Sequence, residues 1–392
     1  MLCLCSEIST KRKVDSINRT KPVVKKACII EYNDYHDEII PSLIFALNTN
    51  GFHVDVYLSE GNIKKQLFPL FENDLKFELI PISNKVSQVR AISGFVYRKF
   101  YRYVKGIKTY TGTIDNALIN SRNYDVIIFN SVEPLPVLYQ CANFTHANVF
   151  YVQHNSFLLK EHPEYKKKIT LERTIVLSHH IKHYLNADVK IITPVYFANF
   201  SMNKLLDKKC VKFCVQGNFD SKRRNYMSLL NAVNKLHIAG LRNFSVEILG
   251  NSNTEEGNLF KTIALKYGIS EYFTIHDAVL PYLEYYHKIS NCDYVLPLID
   301  NQNLSHFSYE LWKCSSTINL SIGLGVVPCI SDYYKSIYNL HESCISYSND
   351  DVYTAMLKAI ELSEKEYIRL QSNLNRLKKN YLEENHQIFS KI

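Results

Sequence analysis

The sequence of 392 residues contains no long hydrophobic run, since no apolar stretch approaches the roughly 20 residues that a helix needs to cross a bilayer. It therefore predicts no membrane-spanning helix. Paired CxxC clusters are also missing from its ten cysteines, which argues against a zinc site and against a disulfide framework. Several cysteines, such as Cys28, Cys214 and Cys292, stand in or beside apolar runs. This pattern predicts buried, reduced thiols in a cytoplasmic protein.

The start of the chain lacks the order of a signal peptide, because its charged residues follow a short apolar stretch instead of preceding it. We expect residues 1–25 to form a flexible basic tail. The whole chain carries a formal charge of +8, which would suit a phosphorylated ligand, an anionic membrane or a merely solvated surface. No RNA- or DNA-binding signature accompanies this charge, so the sequence predicts no nucleic-acid partner.

Short apolar runs alternate with amphipathic segments along the chain, a pattern typical of βαβ units and parallel sheets. The strands predicted in the first half are Ala27–Glu31, His53–Leu58, Phe77–Pro81, Asp125–Phe129, Asn148–Val152 and Thr174–Leu177. Those predicted in the second half are Lys212–Gln216, Ser245–Leu249, Tyr272–Ile275, Asp293–Pro297, Val326–Ser331 and Ser343–Tyr347. We predict an α/β fold of two Rossmann-like domains that face each other across a cleft, with ligands bound beyond the carboxyl ends of the strands.

The boundary between the two predicted domains falls near residues 194–210, where many Asn and Lys residues follow Pro194 without periodicity. We predict a first, acceptor-binding domain over residues 26–195, a linker over 196–210 and a second domain over 211–365. Residues 366–392 are predicted to form a C-terminal helix, and packing back on the first domain is one arrangement open to it.

The segment KFCVQGNFDSKRRNYMSLLNAVNKL runs from a predicted strand through a loop and a basic cluster into a helix. Gly217 and Asn218 follow the strand, and Lys222, Arg223 and Arg224 precede the helix. Glycine lets the backbone approach a phosphate, and a helix N-terminus adds positive potential. Arginine supplies a planar fork that fits diphosphate oxygens. These residues are candidates for a diphosphate site, and the alternative is a solvated basic run at a helix start.

A second segment, DYVLPLIDNQNLSHFSYELWKCSSTINLSIGLGVVPCISD, carries a polar loop and a helix between two predicted strands. The hydroxyls and backbone N–H groups at the helix start, Ser315 and Ser316, suit a phosphate. Lys313 precedes them and could neutralise charge, while Tyr309 could hydrogen-bond to or stack on a base or sugar. In the alternative interpretation Ser315 only caps the helix, Tyr309 belongs to the core and Lys313 lies on the surface.

Taken in order, GNFDSKRRNYMSLLNAV, VEILGN, YFTIHDAV, CDYVLPLID and SSTINLSIGLGVVPCISD resemble the nucleotide-sugar-binding domain of GT-B glycosyltransferases, near the GT4-like group (glycosyl transferases group 1). The resemblance covers about residues 210–350. It implies that Gly217 and Asn218 lie near the donor and that Lys222, Arg223 or Arg224 contacts its diphosphate. The donor pocket that it implies is lined by Tyr309, Lys313, Ser315, Ser316 and Asn319.

The sequence departs from this family at one pair of positions. Many GT4 enzymes carry two glutamates eight residues apart before the final Gly-x-x-Pro strand. Here Leu320 stands five residues before Gly325, no such pair exists, and Glu310 is the only acid nearby. The contact to donor hydroxyls, the subfamily and the stereochemistry of transfer therefore stay open.

Two residues of the first half are candidates for catalysis. His154 follows the strand in VFYVQHNSF, where related enzymes often have a histidine beside the transferred sugar. A neutral imidazole there could orient a hydroxyl or take a proton, and the alternative is a hydrogen-bonded core histidine. Glu133 follows the strand DVIIF and is an alternative base. The first predicted helix begins with His36, Asp37 and Glu38. These residues either face an acceptor or only complement the helix dipole.

These features predict a hexosyltransferase that moves a sugar from a nucleoside-diphosphate sugar to a glycan or lipid-linked acceptor in cell-surface polysaccharide synthesis. No Asp-x-Asp motif occurs, and His179 and His183 have helical spacing but no obvious third ligand, so we predict no metal and no cofactor. The basic segment Tyr97–Tyr110 either contacts the inner face of an anionic membrane or is simply solvated. A nucleotide-sugar epimerase and a non-catalytic GT-B-like binding or scaffold protein are alternative functions.

Overall fold

The computed structural model describes residues 24–82, 122–132, 148–197, 205–300, 303–348 and 351–392. In these ranges the chain forms two parallel β-sheets, with helices in most of the connections between strands. The predicted α/β class with two Rossmann-like domains is therefore confirmed. Within the same ranges, no helix combines the length and the apolar character needed to cross a bilayer.

The first sheet has the strand order β3-β2-β1-β4-β5-β6-β7, and all its pairs are parallel. Its strands are β1 (Lys25–Glu31), β2 (Phe52–Ser59), β3 (Phe77–Ile82), β4 (Val126–Phe129), β5 (Asn148–Val152), β6 (Thr174–Val176) and β7 (Lys190–Ile191). The central strands β1 and β4 are buried on both faces over residues 27–30 and 126–129, which explains why these stretches are continuously apolar. The sequence pattern does not predict β7, because a two-residue strand shows no periodicity.

The second sheet repeats this arrangement in the order β10-β9-β8-β11-β12-β13. Its strands are β8 (Val211–Gln216), β9 (Phe244–Leu249), β10 (Phe273–Ile275), β11 (Tyr294–Val295), β12 (Val327–Ser331) and β13 (Ile345–Tyr347). In each sheet the strand order reverses beside the first strand, β1 or β8. Crevices that bind ligands form outside the carboxyl ends of the strands at such points.

The α-helices of the described residues are α1 (Ile40–Asn48), α2 (Glu60–Lys64), α3 (Phe157–Glu161), α4 (Pro163–Lys168), α5 (His179–Leu185), α6 (Tyr226–Ile238), α7 (Glu255–Lys266), α8 (Tyr282–Ser290), α9 (Ser316–Leu324), α10 (Asp332–Ile337), α11 (Val352–Glu361) and α12 (Glu364–Gln387). Side-chain caps begin several of them. Asn225 accepts a hydrogen bond from the backbone N–H of Ser228 at the start of α6, and Ser363 forms a capping box with Glu366 at the start of α12. The first predicted helix starts as a 3₁₀ turn, Asp37–Ile39, and continues as α1.

One hydrophobic cluster joins the two sheets. It contains Leu43 and Phe68 of the first half as well as Leu320 and Leu324 of α9 in the second half. Phe197, which lies within the predicted linker of residues 196–210, packs edge-on against Tyr286 of α8, with 5.1 Å between ring centroids. The cleft between the sheets therefore has an apolar floor to which both halves contribute. The predicted domain boundaries themselves stay a prediction.

The C-terminal helix crosses from the second sheet to the first. Asn385 accepts a hydrogen bond from the backbone N–H of Thr193 at 2.9 Å and donates to the same residue's carbonyl oxygen at 2.8 Å. Beyond the helix, the buried ring of Phe389 packs edge-on against Phe150 of β5, with 5.6 Å between centroids. These contacts tie the end of the chain to the first sheet.

Replacing Phe389 with alanine should lower the free energy of unfolding by about 3–5 kcal/mol, because it removes a fully buried ring and leaves a cavity against β5. Urea denaturation of the full chain measures this loss. Ile368→Ala is the matched control, since Ile368 lies on α12 but is 44% exposed, and its loss should stay below about 1 kcal/mol. Equal losses in the two variants would show that the end of the chain is not docked on the first sheet.

Candidate active site

A cavity of about 420 Å³ opens between the two halves. Its first wall is formed by residues that follow strands of the first sheet, including His36, Glu38 and Asn155. Its second wall comes from the loop before α6, the segment before α9 and the start of α9. The predicted site residues that line it are His154, Arg223, Arg224, Tyr309, Lys313, Ser315, Ser316 and Asn319. Most of the residues singled out in the sequence thus share one cavity.

Other predicted residues lie elsewhere. Asn218 and Lys222 line a separate surface depression of about 430 Å³, together with Asp220 and Glu256. Gly217 lines neither cavity but lies directly beneath Arg224. Glu133 and the segment Tyr97–Tyr110 fall outside the described residues, so their predicted roles stay predictions.

The guanidinium of Arg224 lies close over the loop that follows β8. A Cβ atom on Gly217 would come within 2.6 Å of Arg224 Nη2, and the φ angle of Gly217 is +99°, so glycine suits this position on two grounds. Arg224 Nη2 donates a hydrogen bond to Thr317 Oγ1 at 3.4 Å. The buried Arg224 Nε–H has no acceptor among the described residues, a state that a bound anion would relieve.

Arg223 has a different environment from its neighbour. Its side chain is 56% exposed, and its Nε lies 3.1 Å from Asp220 Oδ2. An exposed ion pair of this kind contributes little energy, but it offsets part of the charge of Arg223. The two arginines therefore offer a ligand unequal contacts.

The start of α9 forms the next part of the second wall. Ser315 has the non-helical backbone of an N-cap, but its side chain makes no capping hydrogen bond, and its N–H donates to Tyr338 Oη at 3.0 Å. Ser316 is exposed to the cavity. The first N–H groups of an α-helix lack intrahelical acceptors and carry positive potential, so this helix start suits an anion.

A π-helical turn, Ser308–Trp312, brings Tyr309 and Lys313 to the cavity. The backbone N–H of Lys313 donates to the carbonyl oxygen of Ser308 at 2.7 Å. Such turns are rare and frequent at functional sites. Two hydrogen bonds from the first half hold it, from the Ser156 N–H to the Trp312 oxygen at 3.1 Å and from His180 Nε2 to the Lys313 oxygen at 3.1 Å. The position of Lys313 thus depends on both halves.

His154 lies after β5, buried except for the cavity. Its Nε2 donates a hydrogen bond to the carbonyl oxygen of Asn130 at 2.6 Å, which leaves Nδ1 as the unprotonated nitrogen of the neutral ring. Burial and the neighbouring His36 hold the pKa of His154 well below its usual value, although the bond to Asn130 opposes them. His154 therefore presents a neutral imidazole, which can accept a hydrogen bond from a sugar hydroxyl.

The sequence alone does not assign a function to Glu31, a fully buried carboxyl at the end of β1. It accepts hydrogen bonds from the Asn33 N–H at 2.8 Å, Asn130 Nδ2 at 2.7 Å and Ser131 Oγ at 2.6 Å. Burial nevertheless raises its pKa to about 7. Its only sequence signal is an acidic residue that ends an apolar strand beside the reversal of strand order.

The pH dependence of stability should reveal the raised pKa of Glu31. As pH rises from the ordinary carboxyl pKa of 4.5 to about 7, the unfolded chain releases a proton that the folded chain retains, so folding loses stability over that window. The Glu31→Gln variant lacks this loss. Relative to wild type, it should gain roughly 3 kcal/mol between pH 4.5 and pH 8. Urea denaturation at both pH values measures the difference, and a constant difference would mean that Glu31 titrates normally.

The close group of side chains that could share a metal ion lies outside the cavity. Among the described residues, His53, Asp55 and Glu78 are close enough together to share an ion, but they lie on β2 and β3, and Asp55 Oδ2 already accepts a hydrogen bond from Arg122 at 2.8 Å. His179 pairs with Glu384 at 2.9 Å. Neither group contributes to the lining of the cleft.

No protein-family model and no curated protein sequence matches the chain. Solved structures do match it. HepE of Anabaena in complex with UDP and glucose is 11% identical, with a TM-score of 0.59 over 94% of this chain and 98% of the other. The E. coli trehalose-6-phosphate protein bound with UDP-2-fluoro glucose is 11% identical, with a TM-score of 0.58 over the same shares.

A glycosyltransferase from Rickettsia africae is 13% identical, with a TM-score of 0.58 over 94% of this chain and 98% of its own. At these identities the match concerns the fold, and it extends over nearly the full length of both chains. The assignment to the GT4-like group stays a prediction. The chain has two parallel sheets, each with a reversal in its strand order, and a cleft between them. Together with these matches, this arrangement shows that the chain has the GT-B fold.

Proposed function

We propose that the protein is a metal-independent glycosyltransferase that moves a sugar from a nucleoside-diphosphate sugar to a glycan or lipid-linked acceptor. The observation that carries this proposal is that one cavity joins three cationic side chains and a helix start on one wall to His154 and Glu38 on the other. A phosphorylated donor fits the cationic second wall, and the hydroxyl chemistry of sugars fits the first wall, which carries His154 and Glu38.

The diphosphate is assigned to Arg224, Lys313 and the start of α9. During transfer, negative charge grows on the leaving diphosphate. Fixed cations and helix N–H groups in a cleft that excludes water stabilise such charge effectively. Because this wall already supplies positive charge, a bound metal ion is not required for that purpose. Metal independence remains part of the proposal.

The choice of a nucleotide sugar is supported by the matched structures, two of which hold uridine nucleotides with a glucose or fluoroglucose group. In this chain Leu320 lines the cavity at the position where the sequence resemblance would place a glutamate. Contacts to the donor hydroxyls are therefore assigned to polar neighbours such as Asn319 and Ser316. We also propose that the acceptor is an intermediate of cell-surface polysaccharide synthesis.

A thermal-shift screen of the full chain against UDP-, GDP-, ADP- and CMP-sugars tests the proposal. A ligand at 100 times its Kd stabilises the native state by about 2.7 kcal/mol, so one class of donor should raise the melting temperature clearly. Release of nucleoside diphosphate from that donor should follow. Epimerisation of the free donor would instead favour an epimerase, and binding without any turnover would favour a scaffold protein. If no nucleotide sugar changed the melting temperature, the proposal would be wrong.

A further inference from the structure

The cavity has opposite charges on its two walls. Arg223, Arg224 and Lys313 line the second wall, whereas Glu38 is the only carboxylate among the described residues that line the cavity. The side chain of Glu38 is 29% exposed. A carboxylate in this position can therefore reach a group that enters the cleft opposite the cations.

Two neighbouring carboxyls, those of Asp37 and Glu31, are buried and hydrogen-bonded within the protein. Asp37 is fully buried, and its Oδ1 accepts hydrogen bonds from Lys65 Nζ at 3.2 Å and from Tyr282 Oη at 3.0 Å. Glu31 is equally buried within its own hydrogen bonds. Because Tyr282 belongs to α8, the bond to Asp37 also fixes the turn that carries Glu38 against the second half of the chain.

His36 lies beside the carboxylate of Glu38, with 3.9 Å between His36 Nδ1 and Glu38 Oε1. The His36 backbone is left-handed, with φ +69°, an uncommon conformation for a residue with a side chain, and such strain clusters at functional sites. Its ring stacks on His154 with 3.7 Å between centroids, and its carbonyl oxygen accepts a hydrogen bond from Asn130 Nδ2 at 2.8 Å. His36 is thus fixed from two directions.

The ionisation state of Glu38 follows from these neighbours. Burial raises its pKa, but the adjacent His36, a backbone N–H and the charge of Lys65 lower it by more, so the pKa ends below its usual value. The other titratable groups that face it are Asp37 and the hydroxyls of Tyr282, Tyr285 and Tyr286. Glu38 is therefore ionised at neutral pH.

We propose that Glu38 is the catalytic base of sugar transfer and that His36 is its positioning residue, an inference that rests on the proposed function. The acceptor oxygen forms a bond to the anomeric carbon, and the bond from that carbon to the diphosphate oxygen breaks. The acceptor proton goes to Glu38, and the electron pair of the broken bond leaves with the diphosphate. Because base and leaving group occupy opposite walls, the anomeric configuration is inverted.

The test compares the full-length wild-type chain with Glu38→Gln, using the nucleotide sugar that stabilises the chain most. Release of nucleoside diphosphate should fall roughly 100-fold, whereas the Kd for the nucleoside diphosphate, measured by calorimetry, should change less than about threefold. In a Glu38→Ala variant, added sodium formate should restore part of the turnover, because formate can take the proton. Rescue of this kind would not follow from a merely structural role. Thermal melts of each variant, with Glu38→Asp as a second substitution, verify folding.

Glu172→Gln is the matched control, because Glu172 is exposed and does not line the cavity, and its turnover should equal that of wild type. The inference is overturned if wild type releases diphosphate and Glu38→Gln does so at a similar rate, or if Glu133→Gln alone is inactive. Retention of the anomeric configuration, seen by NMR of the product, also overturns it. A wild-type chain that turns over no nucleotide sugar would contradict the proposed function itself.

Discussion

Replacing Arg224 with alanine is expected to weaken the binding of the donor's nucleoside diphosphate roughly 100-fold or more. A hydrogen bond to a charged group contributes about 1.5–3 kcal/mol, and the planar fork of arginine can make two of them to a diphosphate. The geometry supports a large effect, because the guanidinium is held over Gly217 and its Nε–H lacks an acceptor among the described residues. Isothermal titration calorimetry of the two proteins measures the change in Kd.

Arg223→Ala provides the comparison within the same basic cluster. Its side chain is about half exposed and pairs with Asp220, so its loss should weaken binding less than about fivefold. A lysine at position 224 should rescue only part of the affinity, since an ammonium group lacks the planar fork. Equal losses from the two alanine variants would mean that the cluster acts only through its total charge, and unchanged affinity of Arg224→Ala would remove it from the donor site.

Replacing His154 with alanine is expected to reduce turnover roughly 10²- to 10³-fold while leaving donor affinity nearly unchanged. The variant loses the unprotonated Nδ1 that we assign to a hydroxyl of the transferred sugar. It also loses the ring on which His36 stacks, so Glu38 loses part of its support. Misplacement of a catalytic group by about 1 Å can itself cost 10²-fold.

Steady-state release of nucleoside diphosphate, measured beside the Kd from calorimetry, separates the two effects of the His154 substitution. His183→Ala is the matched control, because His183 is exposed on α5 and does not line the cleft. Undiminished turnover in His154→Ala would show that this histidine has only a structural role. A parallel loss of affinity and turnover would instead place it in donor binding.

Most of the fold follows from local sequence patterns. Runs such as ACII and VIIF are continuously apolar because their strands are buried on both faces, and this pattern can be recognised without knowledge of the tertiary contacts. The amphipathic segments between the runs likewise predict the helices close to where they occur. The two-residue strand β7 and the 3₁₀ start of the first helix depend on tertiary contacts and have no such pattern.

The site follows from the sequence only in part. The ordered segments identify Arg224, Lys313 and the start of α9, but they do not tell which way each side chain of the basic cluster points, and Lys222 reaches a different depression from Arg224. The π-helical turn depends on a hydrogen bond between His180 and Lys313, residues 133 positions apart. The stack of His36 on His154 likewise arises only when distant strands pair.

The hydrophobic cluster shared by the two sheets limits how the halves can move. A wide hinge rotation would expose rings such as Phe197 and Tyr286 to water, at a cost of about 25 cal/mol for each Å² of apolar surface. Small sliding movements of packed helices keep those rings covered. We therefore expect ligands to enter this chain through small sliding movements at the rim of the cleft, while the apolar floor stays in place.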